Sequence, residues 1–168
     1  MVAVAPPRLS LQVAEVAADT TAIRSLDWER DRFDIEFGLQ NGTTYNSYLL
    51  RGEKVALVDT SHEKFRDRYL QQLQELIDPR EIDYIVISHT EPDHSGLVKD
   101  VLALAPQATI VASKVAIQFL EGLIHQPFER QTVKNGDRLD LGKGHELEFV
   151  SAPNLHWPDT ILTYDWGT

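Results

Sequence analysis

Ser88-His89-Thr90-Glu91-Pro92-Asp93-His94-Ser95-Gly96 is the stretch on which the reading of this chain turns. Four side chains able to hold a metal, His89, Glu91, Asp93 and His94, fall within six consecutive positions. The apolar run Ile85-Val86-Ile87 leads in, and Gly96 followed by spaced apolar residues leads out. The pattern predicts a buried strand, a ligand-bearing loop and the start of a helix. A strand end fixes the backbone, a loop lets side chains converge, and a helix N-terminus favours negative charge. His89 and Glu91 are two apart, so an extended segment points them the same way, and Asp93 continues that alternation while His94 turns aside. One short loop can thus offer ligands to two neighbouring ions. A further ligand has to come from elsewhere, and His156, in a proline-flanked loop after another apolar strand, is the best candidate.

The donor set narrows the metal. Imidazoles with carboxylates and no thiolate suit iron or manganese, with zinc still possible. Paired metals of this kind support either redox chemistry with O2 or hydrolysis. A lone His or Asp here would more simply cap a helix; His-x-Glu-x-Asp-His straight after a buried strand points to a metal.

Outward from the loop, the pattern alternates between strand and helix. Val55–Val58 is a buried strand closed by Asp59, and residues 62–77 form an amphipathic helix with Phe65, Tyr69, Leu73, Leu76 and Ile77 on one stripe. Thr60 or Ser61 is expected to cap it. A short helix runs from Leu97 to Leu104, a strand covers Ala108–Ala112, and Ser113 caps a helix carrying Val115, Ala116, Phe119, Leu120 and Leu123. Toward the N-terminus, residues 11–16 and 20–26 read as strands. Phe33, Ile35 and Phe37 alternate as a half-buried strand, and Gln40-Asn41-Gly42 turns into the strand Thr44–Leu50. Toward the C-terminus, Leu139–Leu141 and Glu146–Val150 form a hairpin through Gly142-Lys143-Gly144, and Thr160–Tyr164 is a last strand. Strand–helix–strand units between hairpins predict an α/β architecture of mixed sheets covered by helices. Residues 1–10 read as a flexible leader and 11–168 as one partial domain, because the final strand precedes half of a turn.

Composition bounds the function. The chain has 168 residues, 42% of them apolar and 25% charged, enough for one core. It has no cysteine, which excludes thiol ligands and disulfides within it and fits a reducing cytoplasm. The net charge of −10 argues against nucleic acid, whose non-specific binding is phosphate neutralisation, and no apolar run approaches a membrane span. Asp59 is expected to orient ligands through hydrogen bonds rather than bind metal. His62, His125 and His145 read as surface residues, and Trp28 as packing or an interface contact. Tyr45 and Tyr48 face opposite sides of their strand. The Gly-containing turns precede no helix, so they cradle no phosphate.

The loop resembles that of the metallo-β-lactamase superfamily, whose mark is His-x-His-x-Asp-His on a strand–loop–helix. With Glu91 in place of the second histidine, it is similar to the flavodiiron protein branch, of the diflavin flavoprotein type found in cyanobacteria. Leu155-His156-Trp157-Pro158-Asp159, the strand-end Asp59 and Thr43-Thr44-Tyr45-Asn46-Ser47-Tyr48 support the likeness. The resemblance implies a metallo-β-lactamase-like αββα sandwich. It also implies a non-haem diiron centre that reduces O2 to water or NO to N2O, fed by FMN in a flavodoxin-like domain of a head-to-tail dimer and ultimately by NAD(P)H. By the same resemblance His89, Glu91 and His156 hold one iron, Asp93 and His94 the other, and Trp157 lies toward the partner's flavin. The family's bridging carboxylate and last histidine are expected beyond Thr168. Arg32-Phe33-Asp34 stands where many members carry a histidine, which leaves the part of Asp34 open. A metal-dependent hydrolase and a catalytically silent subunit of a hetero-oligomer are the alternatives.

Overall fold

A seven-stranded mixed sheet carries the candidate loop at one end of its parallel half. The structure, a computed structural model, describes residues 8–33 and 37–168. β1 (Leu9–Ala17) and β2 (Thr20–Asp27) pair antiparallel, β2 pairs β5 (Thr43–Arg51), and β5 pairs β6 (Val55–Val58). From β6 the sheet turns parallel through β7 (Ile82–Val86), β8 (Thr109–Ser113) and β9 (Arg130–Val133). Parallel neighbours need crossovers, and the helices supply them. α1 (Arg66–Leu76), continuing a 3-10 turn at Glu63–Phe65, joins β6 to β7. α2 (Pro92–Ser95) and α3 (Val98–Leu104) join β7 to β8, and α4 (Lys114–Ile124) joins β8 to β9.

The period-two alternation of the central strands builds two cores on opposite sheet faces. Leu49, Leu57, Ile85 and Ile110 turn toward the helices and pack with Phe65, Tyr69, Leu73, Val101 and Leu120. Their neighbours Leu50, Ala56, Val58, Val86 and Val111 turn the other way, onto Leu139, Leu141, Leu147, Phe149 and Ile161. The latter come from a second, antiparallel sheet of β10 (Arg138–Gly142), β11 (His145–Ser151) and β12 (Ile161–Asp165). Helices, large sheet and small sheet therefore stack as three layers. The small sheet's outer face mixes exposed Val150, Leu162, Tyr164 and Trp166 with Arg138, which pairs with Glu146 and Glu148.

Several local expectations are corrected. At the two ends of the Phe33–Phe37 alternation, β3 (Arg32–Phe33) and β4 (Phe37–Gly38) pair as a two-stranded ribbon apart from both sheets, with Phe37 exposed, and Ile35 lies outside the described residues. Asp34 lies outside the described residues. The expected leader overlaps β1, which starts at Leu9, and its first seven residues lie outside the description. Thr60 and Ser61 do not cap the helix. The Thr60 hydroxyl donates to the His94 carbonyl and the Ser61 hydroxyl to Ser25, while the His62 ring takes the capping bond from the Lys64 N–H. Ser113 does cap α4, accepting from the Ala116 N–H. His145 is not a surface residue. It is buried and bound through Nδ1 to Asp165 Oδ2 at 2.8 Å, tying β11 to β12. Its glycine-rich neighbourhood suggests exposure, but the hairpin folds the ring back under the adjoining strand.

Candidate metal centre

The centre forms at the carboxyl ends of β6 and β7, where the ends of parallel strands leave a crevice open to side chains. Asp59 closes β6 with a positive φ of 58°, a conformation Asp tolerates better than most residues. Its amide continues the ladder to the Val86 carbonyl, so the backbone is pinned as it turns. Oδ1 then accepts the Ser88 N–H at 2.7 Å, and Oδ2 lies 2.8 Å from His94 Nδ1. One carboxylate thus braces both ends of the loop after β7.

Within that loop Glu91 is extended, but Asp93 and His94 are not. They lie on α2, a single helical turn with Pro92 at its start, so the alternation stops at Glu91. Pro sets the φ of a first helical residue and has no N–H to leave unpaired, which is why the turn begins there. The backbone N–H groups of His94 and Ser95 return to the Glu91 carbonyl. Gly96 follows under tight constraint. A Cβ there would stand 2.4 Å from the Pro92 carbonyl oxygen and 2.9 Å from that of Ser61.

His156 arrives from the loop between β11 and β12, after a cis Leu155–His156 peptide. Its Nε2 is 2.8 Å from Glu91 Oε2, and one ligand atom from each of His89, Glu91 and His156 lies within 4.8 Å of the others. The His89 ring is 5.4 Å from that of His156 and 4.2 Å from that of His94, centre to centre. His94 Nε2 faces Asp93 Oδ2 at 3.7 Å. All five sequence candidates therefore converge, as a three-residue group beside a two-residue pair.

Asp159 joins the loops of the site, a part that its sequence position alone did not announce. It is buried, and its Oδ2 accepts from both the N–H and the hydroxyl of Thr90, at 2.8 and 2.7 Å. Its carbonyl accepts from the Ser113 hydroxyl. It fastens the His156 loop to the His89 loop and to the end of β8. Its place in Leu155-His156-Trp157-Pro158-Asp159, three residues beyond a candidate ligand, was the available signal.

The electrostatics suit a cation. Burial pulls the His89 ring below the ordinary imidazole range, with the neighbouring His94 adding to it, so the ring is a neutral donor at pH 7. Burial also opposes charge on His94, but the Asp59 hydrogen bond and the charges of Asp59, Asp93 and Glu91 outweigh it and raise the pKa. A carboxylate can only accept, so in the neutral ring Nδ1–H points to Asp59 and the Nε2 lone pair is left for a metal, which would displace the proton of the charged form. Asp93 Oδ1 is buried with no hydrogen-bond partner among the described residues. A buried carboxylate oxygen without a partner is costly, and a cation is the ligand that would satisfy it. Imidazoles and carboxylates without thiolate fit iron.

Known proteins resolve the family. The model described as ODP family beta lactamase matches residues 43–168, most of the chain. The chain belongs to that family. Diflavin flavoprotein A 1 of Synechocystis sp. is 72% identical over 165 residues, covering 97% of this chain and 29% of its own length. Among solved structures, a metal-soaked Flv1 flavodiiron core from Synechocystis sp. superposes with a TM-score of 0.90 at 41% identity, over 96% of this chain and 41% of that one. Rubredoxin oxygen:oxidoreductase from the anaerobe Desulfovibrio gigas gives 0.85 at 31% identity, over 92% and 38%. The three layers are those of the metallo-β-lactamase-like flavodiiron core. The chain spans little more than a quarter of the curated relative's length.

Proposed function

We propose that this chain is the partial diiron domain, residues 11–168, of a flavodiiron oxidoreductase that reduces O2 to water or NO to N2O. The observation that carries the reading is the convergence of His89, Glu91 and His156 from two separate loops, with glutamate where the hydrolytic branch has histidine. His89, Glu91 and His156 would hold one iron, and Asp93 and His94 the other. When bound, the irons would supply redox chemistry toward a small oxygen-containing substrate. The chain's own residues do the rest. Asp59 holds His94 so that Nε2 faces the site, and Asp159 holds Thr90 and with it the turn between the ligands.

Electrons would come from FMN in a flavodoxin-like domain, across a head-to-tail dimer, and ultimately from NAD(P)H. Trp157 supports this arrangement. It lies 5.8 Å from the His89 ring, centre to centre, and lines a groove of about 760 Å³ with Pro92, Phe119 and Leu123. An apolar groove beside the ligands suits a flat ring system presented by a partner. Among the described residues no helix is long and apolar enough to cross a membrane. The lack of cysteine favours a cytoplasmic setting.

Expression of the full gene product tests the reading. Two irons per subunit, bound FMN and NAD(P)H-driven O2 uptake are expected. A zinc-loaded protein that hydrolyses thioesters or phosphodiesters and takes up no O2 would overturn it in favour of the hydrolase.

A further inference from the structure

Beside Glu91 and Asp93 lies a second, smaller space. It measures about 90 Å³, and Arg30, Tyr45, His62 and Pro92 complete its lining. A water takes up roughly 30 Å³ of liquid, so the space admits about three waters or a diatomic molecule with company. Two sides are ligand carboxylates. The others are Pro92, which has no donor, and Arg30, Tyr45 and His62, which can donate hydrogen bonds. The Tyr45 hydroxyl donates to Asp27 Oδ2 at 3.0 Å, and Arg30 Nε donates to the Arg32 carbonyl at 2.7 Å.

His62 differs. Its Nδ1 accepts the backbone N–H of Lys64 at 3.2 Å, as the cap of the 3-10 turn. A neutral ring whose Nδ1 accepts must carry its proton on Nε2. Burial lowers the pKa of the ring, and the nearby Lys64 charge lowers it further, so the neutral form prevails at pH 7. The ring is stacked on Tyr45 at 5.5 Å between centres, with 26° between planes. Tyr45 is in turn held by Asp27, which also takes Lys64 Nζ at 2.9 Å. The tautomer and the plane of the ring are therefore both set by the fold. Among the described residues Nε2 makes no hydrogen bond. A surface histidine needs none of these constraints.

We propose that His62 donates its Nε2–H to the small oxygen-containing molecule that occupies the cavity beside Glu91 and Asp93. The proposal rests on the diiron reading above. A neutral N–H with a fixed direction stabilises negative charge building on such a molecule, and it costs no reorganisation at the moment of reduction. It also discriminates, because a molecule without an acceptor at that point leaves the N–H unanswered.

Nitric oxide added to the reduced, iron-loaded full gene product is the probe, and the variant is His62→Asn. Asparagine retains an N-cap acceptor and so preserves the structural role, but it has no ring to reach the cavity. Iron content and melting temperature are expected to match the wild type. Nitric oxide binding is expected to weaken about tenfold, as for one lost hydrogen bond. The N–O stretch, read by infrared spectroscopy, is expected to rise in frequency. In the wild type the stretch is expected to shift in D2O, and in His62→Asn that shift is expected to shrink. Affinity and stretch unchanged in a variant with full iron overturn the proposal and leave the diiron reading standing. A wild-type stretch indifferent to D2O overturns it without any variant. A full gene product that holds no iron, or iron but no nitric oxide, overturns the diiron reading and this proposal with it.

Discussion

Asp59 and Asp27 show how much of this site is set by single carboxylates outside the ligand group. Asp59 accepts the Ser88 N–H with one oxygen and engages His94 Nδ1 with the other. An amide cannot accept at both positions, so Asp59→Asn sets one bond against the other. Iron affinity of the full gene product is expected to fall about 10–100-fold, the usual cost of losing the partner that orients a ligand histidine. Competition with a chelator reads this directly, and wild-type retention of iron would remove Asp59 from the role. Asp27 acts at a distance. It is buried under the Tyr45 hydroxyl and Lys64 Nζ. Burial raises its pKa, but hydrogen bonds from Lys64 and Tyr45 and the Lys64 charge together bring it below the usual carboxylate range. A folded pKa below the unfolded one gives stability that is present above the unfolded value, about 3.9, and lost as pH falls through the folded value. Asp27→Asn is expected to cost about 1–3 kcal/mol at pH 7. The gap from wild type should narrow below about pH 4 as the native carboxylate protonates. Thermal melts across that range decide, and a gap that stays constant with pH contradicts the assignment.

At the scale of elements, two loops make the centre, and what joins them is not what ligates. Asp159 links the His156 loop to Thr90, and Gly96 lets α2 lie against the segment after β6. Asp159→Ala leaves the buried Thr90 N–H and hydroxyl unanswered, at about 1–3 kcal/mol. Iron loss is expected along with a lower melting temperature, since the loop that carries His156 is then untied. Gly96→Ala is expected to cost about 1–3 kcal/mol through overpacking, because the atoms in the way are backbone oxygens that cannot swing aside. A variant that melts like wild type would mean that α2 has room to shift. Four of the five candidates were legible in the sequence because they share one chemistry and sit close together after an apolar strand. Asp93 and His94 were read in the wrong conformation, since strand alternation was extended through Pro92, a residue that equally well begins a helical turn. The burial and bonding of Asp159 and the fixed ring of His62 were not legible, because their partners lie far off in the chain. A single polar residue looks the same in sequence whether it is solvated or engaged across the fold.

For the molecule as a whole, the layers follow from alternation. Leu49/Leu50, Leu57/Val58 and Ile85/Val86 are adjacent pairs that divide between two cores, so a helix layer on one face and a sheet on the other are both written in β5, β6 and β7. The burial of His145 was not legible, because it depends on which strand lies beside it and not on its own neighbours. The same layering leaves Val150, Leu162, Tyr164 and Trp166 exposed on the outer face of the small sheet. It also bears on metal content. Of the five converging side chains, His89, Glu91 and His156 bring ligand atoms within 4.8 Å of one another, enough to hold an ion with water in the open position. Asp93 and His94 are only two, and Asp59 already engages the second nitrogen of His94. Two protein ligands hold a divalent ion weakly against water, and the repulsion of a neighbouring cation weakens it further. The 168-residue chain expressed by itself is therefore expected to retain no metal or one loosely bound ion through dialysis. The full gene product should retain two. Metal analysis of both after dialysis against a mild chelator checks this. Two tightly held ions on the 168-residue chain would show that these five residues and Asp59 are a sufficient cage.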